Sequence, residues 1–241
     1  MRLRPLALPY EHGAWGFLLE PIAVGLLVAP SRGGALVALG TIAAFLMRHP
    51  LRLGIGDWIA HKHVPRTRVC FLLALGYGLA ALAAFAFVGL RPLIPLAFAL
   101  PMAATQFAFD VRNRGRARTA ELAGALAAGW SASAIVLAGA RPPALAIALW
   151  VLLAARAWTS VFYVRSTLRG ESRPLMLAMH AIAIVAAMIL AWRGYVSALA
   201  VTAMAVLLAR ALPATGNLRA RDIGIRELGY GALTVLLIAI A

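Results

Sequence analysis

Apolar runs of roughly membrane-spanning length alternate with short charged stretches along the whole chain. Nine such runs stand out, at about residues 14–30, 34–47, 69–90, 92–109, 120–140, 143–163, 174–192, 194–212 and 227–241. The hydrocarbon core of a bilayer is ~30 Å thick and takes about 20 helical residues to cross. The pattern therefore predicts an all-α, polytopic membrane helix bundle of about nine transmembrane helices, the second and ninth runs being short. Alternate junctions are tight. Arg32-Gly33-Gly34, Arg91-Pro92, Arg141-Pro142-Pro143 and Arg193-Gly194 each join a helix breaker to one arginine, which predicts hairpins between antiparallel helices. The other junctions are longer and more polar. No linker or low-complexity tract divides the chain, so residues 1–241 are expected to form a single integral membrane domain.

Charge orients this pattern. The N-terminal stretch and the junctions after runs two, four, six and eight hold 18 of the 23 lysines and arginines, Arg210 among them, while each hairpin holds one. By the positive-inside rule the basic junctions and the N-terminus face the cytoplasm and the C-terminus lies outside. Composition agrees with a lipid environment: 63% of the 241 residues are hydrophobic and the mean hydropathy is +0.88, more apolar surface than one soluble core can hide. A net charge of +15 raises nucleic acid as a partner. The placement of the arginines between spans argues against that reading. The lone cysteine, Cys70, excludes a disulfide framework or thiolate metal site. Arg2 and Arg4 before an apolar run resemble a signal peptide, but Glu20-Pro21 interrupts the run, which reads as a retained first span.

Ionisable residues inside spans are costly in lipid and are candidates for function. Glu20 and Arg156 are the clearest. His12, Gly16 and Glu20 share one helix face at i, i+4, i+8, and Arg156, Thr159, Ser160 and Tyr163 form a polar stripe at i, i+3, i+4, i+7. These residues either line a binding cavity or form an ion pair that staples two helices. His180, alone in run seven, reads as a hydrogen-bonded helix contact. Beyond the stripe, Arg165 and Arg169 put two guanidiniums on one face, a pattern suited to phosphate or carboxylate and equally to anchoring at the membrane surface. In the longest junction, Asp57 and His61 stand at i, i+4 with His63 nearby. Three or four ligands normally hold a metal, and the positive side chains of this junction oppose a cation. A solvated basic loop in which Asp57 caps is the competing reading. Asp110, Asn113 and Glu121 bracket four alternating arginines as surface charge.

Glu11-His12-Gly13-Ala14-Trp15, Ala120-Glu121-Leu122-Ala123-Gly124 and Phe162-Tyr163-Val164-Arg165-Ser166 resemble the YwiC-like family of bacterial membrane proteins, which implies an inner-membrane location. Nine spans, an inside N-terminus and large cytoplasmic junctions after spans two and six also resemble, more distantly, the UbiA superfamily of intramembrane prenyltransferases. Those enzymes hold a prenyl diphosphate through magnesium on Asp-rich motifs in these two junctions. Anchored on Val64-Pro65-Arg66-Thr67, the resemblance puts Leu53 and Gly54 at the leading Asn-Asp of the first motif, Asp57 at its second aspartate and His61 at its third. Arg165, Arg169 and Glu171 stand where the second motif would be, so magnesium is disfavoured.

The resemblance implies that spans one to four and five to eight form a ring, with the second and sixth close to each other at the cytoplasmic side, around a cavity open to the cytoplasmic leaflet. The implied ligand is a membrane lipid with an anionic head and an isoprenoid or acyl tail. Its head would be held by Arg156, Tyr163, Arg165 and Arg169, with His12 and Glu20 opposite. If the chain is an enzyme, Asp57 or His61 would serve as acid and base. A transporter and a structural or assembly subunit are the alternatives.

Overall fold

A computed structural model describes residues 3–9, 12–62, 64–213 and 219–240, the His12 side chain excepted. The described residues form α1 (Arg4–Ala7), α2 (His12–Val28), α3 (Arg32–Ile59), α4 (Pro65–Ala86), α5 (Leu90–Val111), α6 (Arg118–Ala138), α7 (Pro143–Arg169), α8 (Arg173–Trp192), α9 (Ala198–Ala211) and α10 (Ala220–Ala239), with no strand among them. Each apolar run coincides with one helix from α2 to α10. Six of these helices, α3 to α8, are long and apolar enough to cross a membrane, and α2 and α9 are shorter apolar helices. The first two turns of α10 carry Arg221, Asp222, Arg226 and Glu227. The fold is a polytopic helical membrane bundle.

Junction chemistry sets the helix ends. Ser31, Ser172 and Ser197 cap α3, α8 and α9, each hydroxyl accepting a backbone N–H of the first turn. Pro65 and Pro143 open α4 and α7, where a missing N–H is no loss. Gly170 stops α7 at φ +64, a left-handed conformation that glycine adopts without strain. The second run extends furthest beyond expectation. α3 continues through Arg48, His49 and Pro50 to Ile59, so Asp57 sits in a helix rather than a loop. The fall in hydropathy there marks polar residues on a continuing helix, whose His49 Nε2 lies 3.1 Å from the Pro5 carbonyl of α1.

α6 occupies the middle of the bundle, packing on α2, α3, α5 and α7. Small residues allow this, as in other membrane helices: Ala120, Ala123, Ala125, Gly129, Ser131, Ala132, Ser133 and Ala134 are buried along it. At Gly25 of α2 a Cβ would lie 2.9 Å from the Ile135 Cβ. α7, α8 and α9 follow as sequential neighbours, and α10 closes against α9 and α2. α3 and α7 share no extended contact, because α6 lies against both.

The main apolar core is shared by α2, α6, α7, α8, α9 and α10, and a second joins α2, α3 and α6. One end of the bundle is basic. There Arg48 approaches Asp110 at 3.5 Å, Arg165 and Arg169 donate to the Arg116 carbonyl, and Arg173 donates to the Leu212 carbonyl.

Candidate functional site

A chain of paired charges lies inside the bundle where α2, α7, α9 and α10 meet. Arg156 on α7, 2% exposed, donates from one terminal nitrogen to Glu20 of α2 at 3.3 Å and to the Glu227 carbonyl at 3.1 Å. Its other terminal nitrogen donates to the Glu227 carboxylate at 3.3 Å. Glu227 on α10 is the hub, also accepting from Ser160 and Arg210. The Arg210 guanidinium lies between two rings, 4.5 Å from the Tyr163 centroid and 5.2 Å from that of Tyr230, a favourable arrangement for a desolvated cation. Arg156, Ser160 and Tyr163 reach this site from one face of α7, as their i, i+4, i+7 spacing dictates. Glycine makes room for it, because a Cβ at Gly231 would collide with the Glu20 carboxylate.

Two guanidiniums and two carboxylates leave the network formally neutral, and each charge meets an opposite one, without which burial is prohibitive. Not every donor is used. Arg156 Nε, Arg210 Nε and one terminal nitrogen of Arg210 are buried with no acceptor. His180 on α8, fully buried, donates from Nδ1 to the Met176 carbonyl at 2.8 Å, the bland contact expected of it, while its Nε2 has no partner.

Above Tyr163, toward the basic end, a cavity of about 260 Å³ opens between α7, α8 and the end of α9. Tyr163, Ser166, Thr167, Glu171 and Arg173 supply its polar wall, and Met176 and Ala211 line it too. Ala211 directly follows Arg210, so the floor of the cavity adjoins the buried network.

A second ion cluster lies beside the cavity. Arg165 donates to Glu171 at 2.7 Å and to Glu121 at 2.8 Å, Arg169 approaches Glu121 at 3.8 Å, and Arg118 approaches Glu171 at 3.7 Å. The Arg165 guanidinium holds the Glu171 carboxyl below its ordinary range.

The structure thus brings Glu20, Arg156 and Tyr163 to one site and gathers Arg165 and Arg169 around Glu121 instead. Asp57 joins neither group. Both of its oxygens are engaged across the α3–α4 junction, by Arg66 at 2.5 and 2.9 Å and by Thr67 at 3.1 Å. His61 is exposed at φ +53. The His12 side chain, Glu11 and His63 lie outside the described residues. These residues do not fit a magnesium bridge, since Asp57 is already neutralised by a guanidinium. Among the described residues no three His, Cys, Asp or Glu come together as a metal site.

Sequence reasoning missed Arg210 and Glu227. Both stand at the edge of an apolar run, where an arginine reads as a surface anchor and a glutamate as part of the loop. The signal was there in α10, which begins at Ala220 and so places Glu227 about two turns inside a helix.

These features define a polytopic helical membrane protein with a closed charge network in its interior and a polar cavity at its basic end. The chain belongs to the YwiC-like family, which it matches over residues 8–138. No curated protein and no solved structure matches it.

Proposed function

We propose that this protein binds the anionic head of a membrane amphiphile with an isoprenoid or acyl tail, in the cavity over Tyr163, with the basic end facing the cytoplasm. The observation that carries the reading is the position of that cavity. Its wall offers the Tyr163 and Ser166 hydroxyls and the Arg173 guanidinium beside Glu171, whose charge Arg165 offsets, and below it Arg210 keeps two buried nitrogens without an acceptor. An anion entering here meets preorganised donors in a low-dielectric setting, where charge-assisted hydrogen bonds are strong. Arg165 and Arg169 contribute as a frame, tied to Glu121 and Glu171, and Glu20 and Arg156 anchor the network from below. Asp57 and His61 belong to the α3–α4 junction and take no part in this binding.

The test is mass spectrometry of lipids retained through gentle purification. An anionic lipid should copurify, and Arg173→Gln combined with Ser166→Ala should lower its retention on the order of tenfold or more. Equal retention by the variant would overturn the reading. A second reading, a carrier, draws on the buried Glu20–Arg156–Glu227–Arg210 set, since intramembrane charges often mark ion pathways. Proton flux into proteoliposomes that is abolished by Glu20→Gln, with no lipid retained, would favour it.

A further inference from the structure

A groove of about 470 Å³ runs along the outside of the bundle between α5 and α6, across the Phe162 side chain cluster from the cavity. Its α5 wall is Pro101, Met102 and Thr105, and its α6 wall is built on Arg118, Leu122 and Leu126. Those three α6 residues follow one another at i, i+4, i+8, so the groove runs parallel to the helix axis for about 12 Å. A lipid chain takes the same direction in a bilayer. One turn beyond Leu126, Trp130 of α6 lies 5.5 Å from the Phe98 ring of α5 and stacks on Trp150 of α7 at 4.4 Å, and Trp150 Nε1 donates to the Leu126 carbonyl.

The near end is positive. Arg112, Arg114, Arg116 and Arg118 are exposed there. The neighbouring acids are committed elsewhere, Asp110 to Arg48 and Glu121 to Arg165 and Arg169. Glu171 binds Arg165 at 2.6 Å and reaches Arg118 only at 3.7 Å. Among the described residues Arg112, Arg114 and Arg116 have no carboxylate partner. An apolar slot parallel to the chains, ending at Arg118 and a turn in which arginines outnumber the carboxylates near them, matches one occupant by shape and charge together.

We infer that the α5–α6 groove is a selective site for an anionic phospholipid of the surrounding bilayer, with one acyl chain along Leu122 and Leu126 and the phosphate against Arg118 and Arg114. This site is distinct from the cavity over Tyr163 and stands or falls separately.

The test places a fluorophore at Met102→Cys on a Cys70→Ala background and reads its quenching in vesicles by chain-labelled doxyl phosphatidylglycerol or doxyl phosphatidylcholine. Phosphatidylglycerol should quench at a several-fold lower mole fraction, with the preference shrinking as salt rises. Arg114→Gln and Arg118→Gln should each remove roughly a fivefold share of it. Thr119→Phe, at an exposed position of the groove wall, should weaken quenching by both lipids while the protein stays folded. A control fluorophore at Leu75→Cys, exposed on α4, should show no preference. Equal quenching by the two lipids at residue 102, or the same preference at residue 75, would overturn the inference.

Discussion

α5 and α7 have comparable length and hydropathy, yet 67% of the most apolar stretch of α7 is buried against protein and only 6% of that of α5. In water such a difference would be written in the sequence, because an outward face must be polar. In lipid both faces are apolar, and hydropathy reports only that a helix is in the membrane. What separates the two helices is their polar content. α7 buries Arg156, Thr159, Ser160 and Tyr163, and Arg156 and Ser160 meet Glu20 and Glu227 of neighbouring helices. α5 presents Leu100, Ile94 and Phe98 outward and keeps Asp110 at its basic end. The polar residues, not the apolar ones, show which side of a membrane helix faces protein.

The comparison is broken most severely at Arg156. Arg156→Ala leaves Glu20 without its guanidinium and Glu227 with Arg210 alone, and removing one partner of a buried pair typically costs about 3–5 kcal/mol. Unfolding in detergent, followed by helical signal, should show a loss of that order. Pairing Arg156→Gln with Glu20→Gln should recover much of it, because Glu227 and Arg210 then remain as a neutral couple. Additive losses would mean that Glu20 and Arg156 act independently.

Apolar truncations sharpen the same contrast with a smaller effect. Leu149 on α7 is 1% exposed and Leu100 on α5 is 67% exposed. Leu149→Ala should cost about 2 kcal/mol, the low end for buried leucines, because lipid is as apolar as the core and only the packing term is lost. Leu100→Ala should stay within about 0.5 kcal/mol of the parent. Comparable losses at the two sites would place α5 against a protein surface rather than lipid.

The smallest effect concerns the ion cluster around Arg165. Arg165 depresses the Glu171 carboxyl below its ordinary value of 4.5. A depressed carboxylate contributes stability that is fully present above that ordinary value and is lost as pH falls through the folded-state value. Melting temperature should therefore decline on acidification, and Glu171→Gln should flatten that limb of the profile. An unchanged acid limb in the variant would assign the decline to other groups.

The helical membrane fold was legible because spans need long apolar runs, and each of the nine runs met a helix. Boundaries were less so. Arg48, His49 and Pro50 end the hydropathy of the second run without ending α3, since a helix leaving the bilayer keeps its backbone hydrogen bonds while its side chains turn polar. Half of the charge network was readable from Glu20 and Arg156, which interrupt apolar sequence on both sides. Arg210 and Glu227 lie at run edges, where burial depends on helices distant in sequence. Arg165 and Arg169 stand in sequence as two guanidiniums on one face, and only tertiary structure brings Glu121 and Glu171 to meet them.

The network also has a timetable. Glu20 is synthesised 136 residues before its partner Arg156, an interval of roughly 7 to 27 seconds at the usual pace of a ribosome. Glu227 comes later still, in the last helix, which packs against α2, the first of the nine. Until α7 is made, α2 therefore carries an acid whose guanidinium partner does not yet exist. α2 has to wait, held by α3 and then α6, until α7 and α10 arrive. Nascent chains arrested before residue 156 should leave Glu20 open to water-soluble carbodiimide, whereas full-length chains should shield it. The charge network can therefore close only once Arg156, Arg210 and Glu227 have all been made.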